Sequence, residues 1–159
     1  MIVLRGEQAN FNFRVGAVII DPAGERVLIH RAVTDPFWTL PGGRVELLEP
    51  AADALMREMR EELSVDTEVE RLLWVVENFF VYEGKQRHEI AFYFLVSLPA
   101  GSPIYSQREP FSGDEEGLEL IFEWHSLATI EQVNLLPSFV CNGLRSIPLS
   151  VQHVVHIDE

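Results

Sequence analysis

A chain of 159 residues is long enough for one domain with one core, and its length predicts a single domain over residues 1–159 with the core at about 11–150. Apolar residues make up 47% and charged residues 23%, ordinary usage that excludes a disordered chain. No apolar run approaches the roughly 20 residues that span a bilayer, residues 1–10 lack the form of a signal peptide, and Cys141 as sole cysteine excludes an internal disulfide, so a cytoplasmic protein with no membrane partner is expected. A formal net charge of −13 repels a polyphosphate backbone, which excludes duplex nucleic acid as the expected partner.

In chain order, residues 11–21 begin with alternation at Phe11, Phe13 and Val15 and become wholly apolar, the pattern of a buried strand. Asp21-Pro22-Ala23-Gly24 has the composition of a type I turn, and residues 26–31 read as a second strand. Residues 38–45, punctuated by Pro41-Gly42-Gly43, read as a loop. Residues 50–63 form the clearest helix, with Pro50 at its first position and Ala52, Leu55, Met59 and Leu63 on one apolar stripe. Residues 67–82 and 88–98 are strands joined by a turn at Glu83-Gly84-Lys85. Residues 99–117 read as a long loop, 118–124 as a strand, and 137–143 as a short helix opened by proline and closed by glycine; residues 151–157 are left without an assignment. Strands on both sides of a helix give an α/β or α+β sandwich.

Nine acids and two bases lie between Glu46 and Glu70. Glu58 and Glu62 stand one helical turn apart at the edge of the apolar stripe, with Glu61 beside them, and like charges at that spacing destabilise a helix by roughly 0.2–0.5 kcal/mol per pair. Arg57 and Arg60 relieve part of this. Two accounts stay open at this point: a solvated acidic helix face, and a multi-carboxylate oxygen site of the kind that suits Mg²⁺ or Mn²⁺.

The segment around that helix adds a longer pattern. Five residues separate Gly43 from Glu49, seven separate Glu49 from Arg57, and Arg57-Glu58-Met59-Arg60-Glu61-Glu62-Leu63-Ser64-Val65 follows. These 23 residues resemble the Nudix (MutT-like) box, G-x5-E-x7-R-E-U-x-E-E-x-G-U with U bulky and aliphatic, and residues 38–43 resemble the segment that precedes it. Two positions depart from the pattern: Ser64 stands where the box has glycine, and Leu48 where many members have one.

The resemblance implies an α/β/α sandwich with a curved mixed sheet, and a hydrolase in which water attacks a phosphorus of a nucleoside diphosphate linked to another group. It assigns Glu58 and Glu62 as the main metal ligands, with Glu61 a third ligand or a base, Arg57 as a residue that orients a glutamate, and the Gly42 carbonyl as a further ligand for Mg²⁺ or Mn²⁺. Arg44 is a candidate phosphate contact, Glu46 and Glu49 bind water or orient the loop, and Glu115 or Glu116 is a candidate base from a later loop. Tyr82 lies 17 residues beyond Val65, near the offset of a tyrosine in dinucleoside-polyphosphate-cleaving members. Phe37, Trp38, Phe80 and Tyr82 are candidates to stack on a base, with core packing the expected fate of most, and His88 is a weaker substrate contact. His153 and His156 lack a third ligand at a convincing spacing. A homodimer is a further expectation. Two competing readings are a silent nucleotide-binding module, which has no need to retain the four charged residues of the box, and a related isomerase acting on an isoprenoid diphosphate, for which Cys141 is badly placed.

Overall fold

The computed structural model describes residues 1–115 and 117–158, without the side chains of residues 114 and 115. The strands form two mixed sheets. The first has the order β1 (Val3–Arg5), β2 (Ala9–Ile19), β7 (Lys85–Ser97), β6 (Glu68–Tyr82), β11 (Gln152–Ile157), with β5 (Gly42–Arg44) on the far half of β2. The second has the order β10 (Leu135–Leu136), β4 (Trp38–Thr39), β3 (Arg26–Ala32), β9 (Leu118–Ser126), β8 (Phe111–Glu115). Parallel pairs (β2 with β7, β6 with β11, β4 with β10) occur beside antiparallel ones, which is the mixed-sheet α+β class expected.

Two helices cover opposite faces. Side chains alternate across a strand, and β2 shows the division: Val15, Ala17 and Ile19 pack with Ala54, Leu55 and Met59 of α1 (Ala51–Leu63), whereas Val18 packs with Val140 and Leu144 of α2 (Phe139–Arg145). The layers are therefore helix, sheet, helix.

Several boundaries differ from the sequence reading. Residues 38–45 are not a plain loop, because Gly42 and Gly43 form β5; a Cβ at Gly42 would overlap the Val15 carbonyl oxygen, so glycine permits the close approach of β2. Pro50 precedes the helix with ψ 144° instead of opening it. The 99–117 segment contains a 3-10 turn at Pro103–Ser106 and strand β8. Gly143 lies inside α2 instead of ending it, since a Cβ there would overlap the Trp74 ring. Strand β1 is an element that the sequence reading lacks, and within the unassigned 151–157 segment Gln152–Ile157 pair in parallel with β6 as β11. Asp21 accepts the i to i+3 bond of the expected turn, from Gly24 N at 2.9 Å. Glu83 and Gly84 both take positive φ, as a two-residue hairpin of the observed twist requires.

The two departures from the box both fall on left-handed backbone: Ser64 closes α1 at φ 54° and ψ 39°, and Leu48, fully exposed, has φ 64°. A side chain there costs roughly 1–2 kcal/mol, partly offset by the greater unfolded-state entropy of glycine. Ser64→Gly and Leu48→Gly should each stabilise the fold by about 0.5–1 kcal/mol in urea denaturation; a loss of stability in either would contradict the strain.

Candidate active site

The site is built around the Arg57 guanidinium. Nε and Nη2 donate to the two oxygens of Glu49 at 2.9 and 3.0 Å, Nη1 donates to Glu58 Oε1 at 3.0 Å and to Glu61 at 3.4 Å, and Nη2 reaches the Arg44 carbonyl at 3.1 Å. One planar cation thereby ties β5, the 45–50 segment and α1 together. The bidentate partner Glu49 is held below the ordinary carboxylate range, first by its hydrogen bonds from Arg57. The same bonds push the Arg57 pKa still further above its already high ordinary value.

Glu58 and Glu62 are 7% and 4% exposed, which bears out their expected place at the rim of the core. Gly43 has no room for a Cβ because the Glu58 carboxyl group fills that space. Glu62 Oε2 is 3.9 Å from Nδ1 of His30, which is buried against Phe122. Burial, and then the charge of Arg14, lower the His30 pKa to about 3, so the ring beside Glu62 is neutral. Glu61 stands apart: its side chain is 56% exposed and turned to Arg57. Among the described residues no three His, Cys, Asp or Glu side chains are gathered closely enough to hold one ion, so the expected convergence of three glutamates is not preassembled.

A cavity of about 710 Å³ opens beside these carboxylates, with His30, Gly42 and Arg44 in its wall. That volume suits a nucleotide-sized ligand. Arg14 and Arg44 are register partners on β2 and β5, and both line it. Tyr82, Phe37 and Phe80 line it too, so these three aromatics are cavity walls and not core, and the Tyr82 hydroxyl donates to Asp35 at 3.1 Å. Trp38 instead packs under the Arg31 guanidinium.

Other candidates lie elsewhere. Glu46 is exposed against the amino terminus, and Glu49 is bound to Arg57; neither lines the cavity, so the structure does not bring them to a substrate there. His88 faces the other side of the sheet, between Phe11 and Phe79, because its neighbour Glu89 takes the cavity side. His153 and His156 pair separately with Glu77 and Asp158. The Glu115 side chain and Glu116 lie outside the described residues. The sequence reading missed Asn12, Asn78, Glu89 and His30, all buried in the cavity wall. Polar residues at alternate positions of apolar strands were the available signal.

The family model of the NUDIX domain matches residues 11–139. A 70-residue stretch is 39% identical to the 8-oxo-dGDP phosphatase NUDT18 of Danio rerio, over 43% of this chain but only 22% of that protein's length. The fold is similar to a UDP-X diphosphatase (TM-score 0.61, 20% identity, 90% of this chain and 66% of the other) and to a MutT NUDIX hydrolase of Burkholderia pseudomallei (TM-score 0.52, 28% identity, 74% and 84%). A match over most of the chain, on the helix and cavity just described, places this protein in the Nudix family.

Proposed function

We propose that this chain is a divalent-metal-dependent hydrolase that cleaves the phosphoanhydride of a nucleoside diphosphate linked to another group. The observation that carries the reading is the burial of Glu58 and Glu62 directly behind the wall of a nucleotide-sized cavity, Glu58 against Gly43 of β5 and Glu62 beside the cavity-lining His30. Arg57 offsets part of the charge of Glu58, and a divalent cation between two buried carboxylates a helical turn apart would stabilise the pair further. The tight seating of the Glu58 carboxyl group against Gly43, and the all-oxygen donor set, fit Mg²⁺ or Mn²⁺.

In this reading Glu58 and Glu62 would hold the ion, with Glu61 and the Gly42 carbonyl as further donors. When bound, the ion neutralises phosphate charge and lowers the pKa of a water. The chain's own residues do the rest. Arg14 and Arg44 grip the phosphates at the cavity end nearest the helix. Arg57 orients Glu58 and, through its bonds to Glu49, fixes the segment that leads into α1. Glu61, the exposed member, is able to change partners and take a proton from the attacking water as its oxygen bonds to phosphorus and the bridging P–O bond breaks. Tyr82 and Phe80 border the organic part of the substrate. The lone cysteine and the charge of −13 support a cytoplasmic site of action without duplex nucleic acid as partner.

One observation favours a second reading, a nucleotide-binding module without catalysis: three ligands are not gathered among the described residues. A screen for nucleoside monophosphate release over nucleoside diphosphate derivatives separates the two. Hydrolysis that is lost with a chelator and restored by Mg²⁺ or Mn²⁺ is expected; silence with either ion favours the module.

Glu58→Gln and Glu62→Gln should each lower turnover by about 100-fold or more while circular dichroism stays native. Either variant retaining full activity would remove the proposed roles.

Glu49→Gln tests the clamp on Arg57. A carboxyl whose pKa is depressed in the fold contributes stability above its unfolded value, 4.5, and loses that contribution as pH falls through the lower folded value. The variant should lose about 1–2 kcal/mol at pH 7 and show a shallower acid dependence below pH 4.5 in denaturation curves. Identical acid limbs for both proteins would contradict it.

A further inference from the structure

Across the cavity floor runs a row of polar side chains that the proposed chemistry does not use. Asn12 of β2, Glu89 of β7 and Asn78 of β6 are register partners, so their side chains share the cavity face of the sheet. All three are more than nine-tenths buried. Glu89 accepts one hydrogen bond, from Asn12 Nδ2 at 2.8 Å, and has no cation at ion-pair distance among the described residues. The Asn78 amide oxygen is buried with no hydrogen-bond partner among the described residues. A buried carboxylate held by a single neutral amide, beside an amide left unsatisfied, is an expensive arrangement for a structural floor. It is the arrangement expected where a ligand completes the network.

The chemistry of the row selects the ligand. A carboxylate only accepts, and its two oxygens present lone pairs side by side. The best complement is a rim with two adjacent N–H donors. The orphaned Asn78 oxygen needs one further donor, and the second Nδ2 proton of Asn12 calls for an acceptor on the other side of those donors. Guanine offers this set: N1–H and one 2-amino proton for Glu89, the second 2-amino proton for the Asn78 oxygen, and O6 for Asn12 Nδ2. Adenine would set its N1 lone pair against the carboxylate, and uracil offers one N–H between two carbonyls. Position agrees with the phosphate end. The Asn12 row lies four residues along β2 from Gly16, which faces Gly42, a separation of about 13 Å at the rise of a strand, and Arg14 lies between.

We infer that Asn12, Glu89 and Asn78 form a base-reading floor that selects a guanine nucleotide. The inference deepens the proposed function in that it places the diphosphate at the carboxylate end of the same cavity.

The test is binding, which does not need turnover. The full chain is titrated calorimetrically with GDP, IDP and ADP in Mg²⁺. The wild type should bind GDP at least about tenfold more tightly than ADP, with IDP, which lacks the 2-amino group, in between. Glu89→Gln should bring GDP to within about threefold of ADP and leave ADP unchanged, and Asn78→Ala should weaken GDP while leaving IDP, which has no 2-amino group, unchanged. Equal wild-type affinity for GDP and ADP, which needs no variant to fold, overturns the inference, as does a Glu89→Gln protein that keeps its preference for GDP. A chain that prefers GDP but hydrolyses nothing keeps the base-reading floor and loses the proposed activity. One that hydrolyses guanine- and adenine-linked diphosphates equally keeps the activity and loses the floor.

Discussion

The hold of Arg57 on its surroundings is the constraint from which the site follows. Its guanidinium binds Glu49, Glu58, Glu61 and the Arg44 carbonyl, so the orientation of the carboxylates, the path of the 45–50 segment and the seating of β5 are fixed together. A lysine could offer a charge there, but not the planar fork that meets two oxygens of Glu49 while reaching three other groups. Because the segment is held at both ends, Leu48 tolerates a left-handed conformation that it would not adopt alone.

Burial of Glu58 and Glu62 rests on this hold and on the glycines of β5. Gly42 lets β2 approach and Gly43 leaves space for a carboxyl group, so adjacent glycines answer two different steric demands on opposite faces of one short strand. The helix side of β5 receives the carboxylates and the other side lines the cavity. Three residues of backbone thus divide the two halves of the site and bring them within reach of each other.

How much of this was legible in the sequence depended on the range of the interactions. Glu58, Glu62 and Arg57 could be placed because a helix fixes neighbours three and four residues apart, and the rim position of the two glutamates followed from the stripe at Leu55 and Met59. The left-handed backbone at Ser64 and Leu48 was legible as missing glycines. By contrast, the floor of the cavity depends on a pairing of Asn12 with Glu89 across 77 residues, and no local pattern says that Glu89 and not His88 faces inward. Gly143 misled for a related reason: its role is to admit Trp74, a tertiary contact that resembles a helix stop when read locally. Strand β11 went unassigned because it exists only through its parallel partner β6.

The parallel pairing of β2 with β7 has a consequence for how the molecule comes into being. Eleven residues of β2 find partners on a strand that is synthesised more than sixty residues later, after α1 and β6 have been made. Closing so large a loop must precede any gain from the ladder, which slows such topologies relative to hairpins and helices. The helix of glutamates can therefore take shape early, whereas the chamber beside it acquires its floor only when the two distant strands meet.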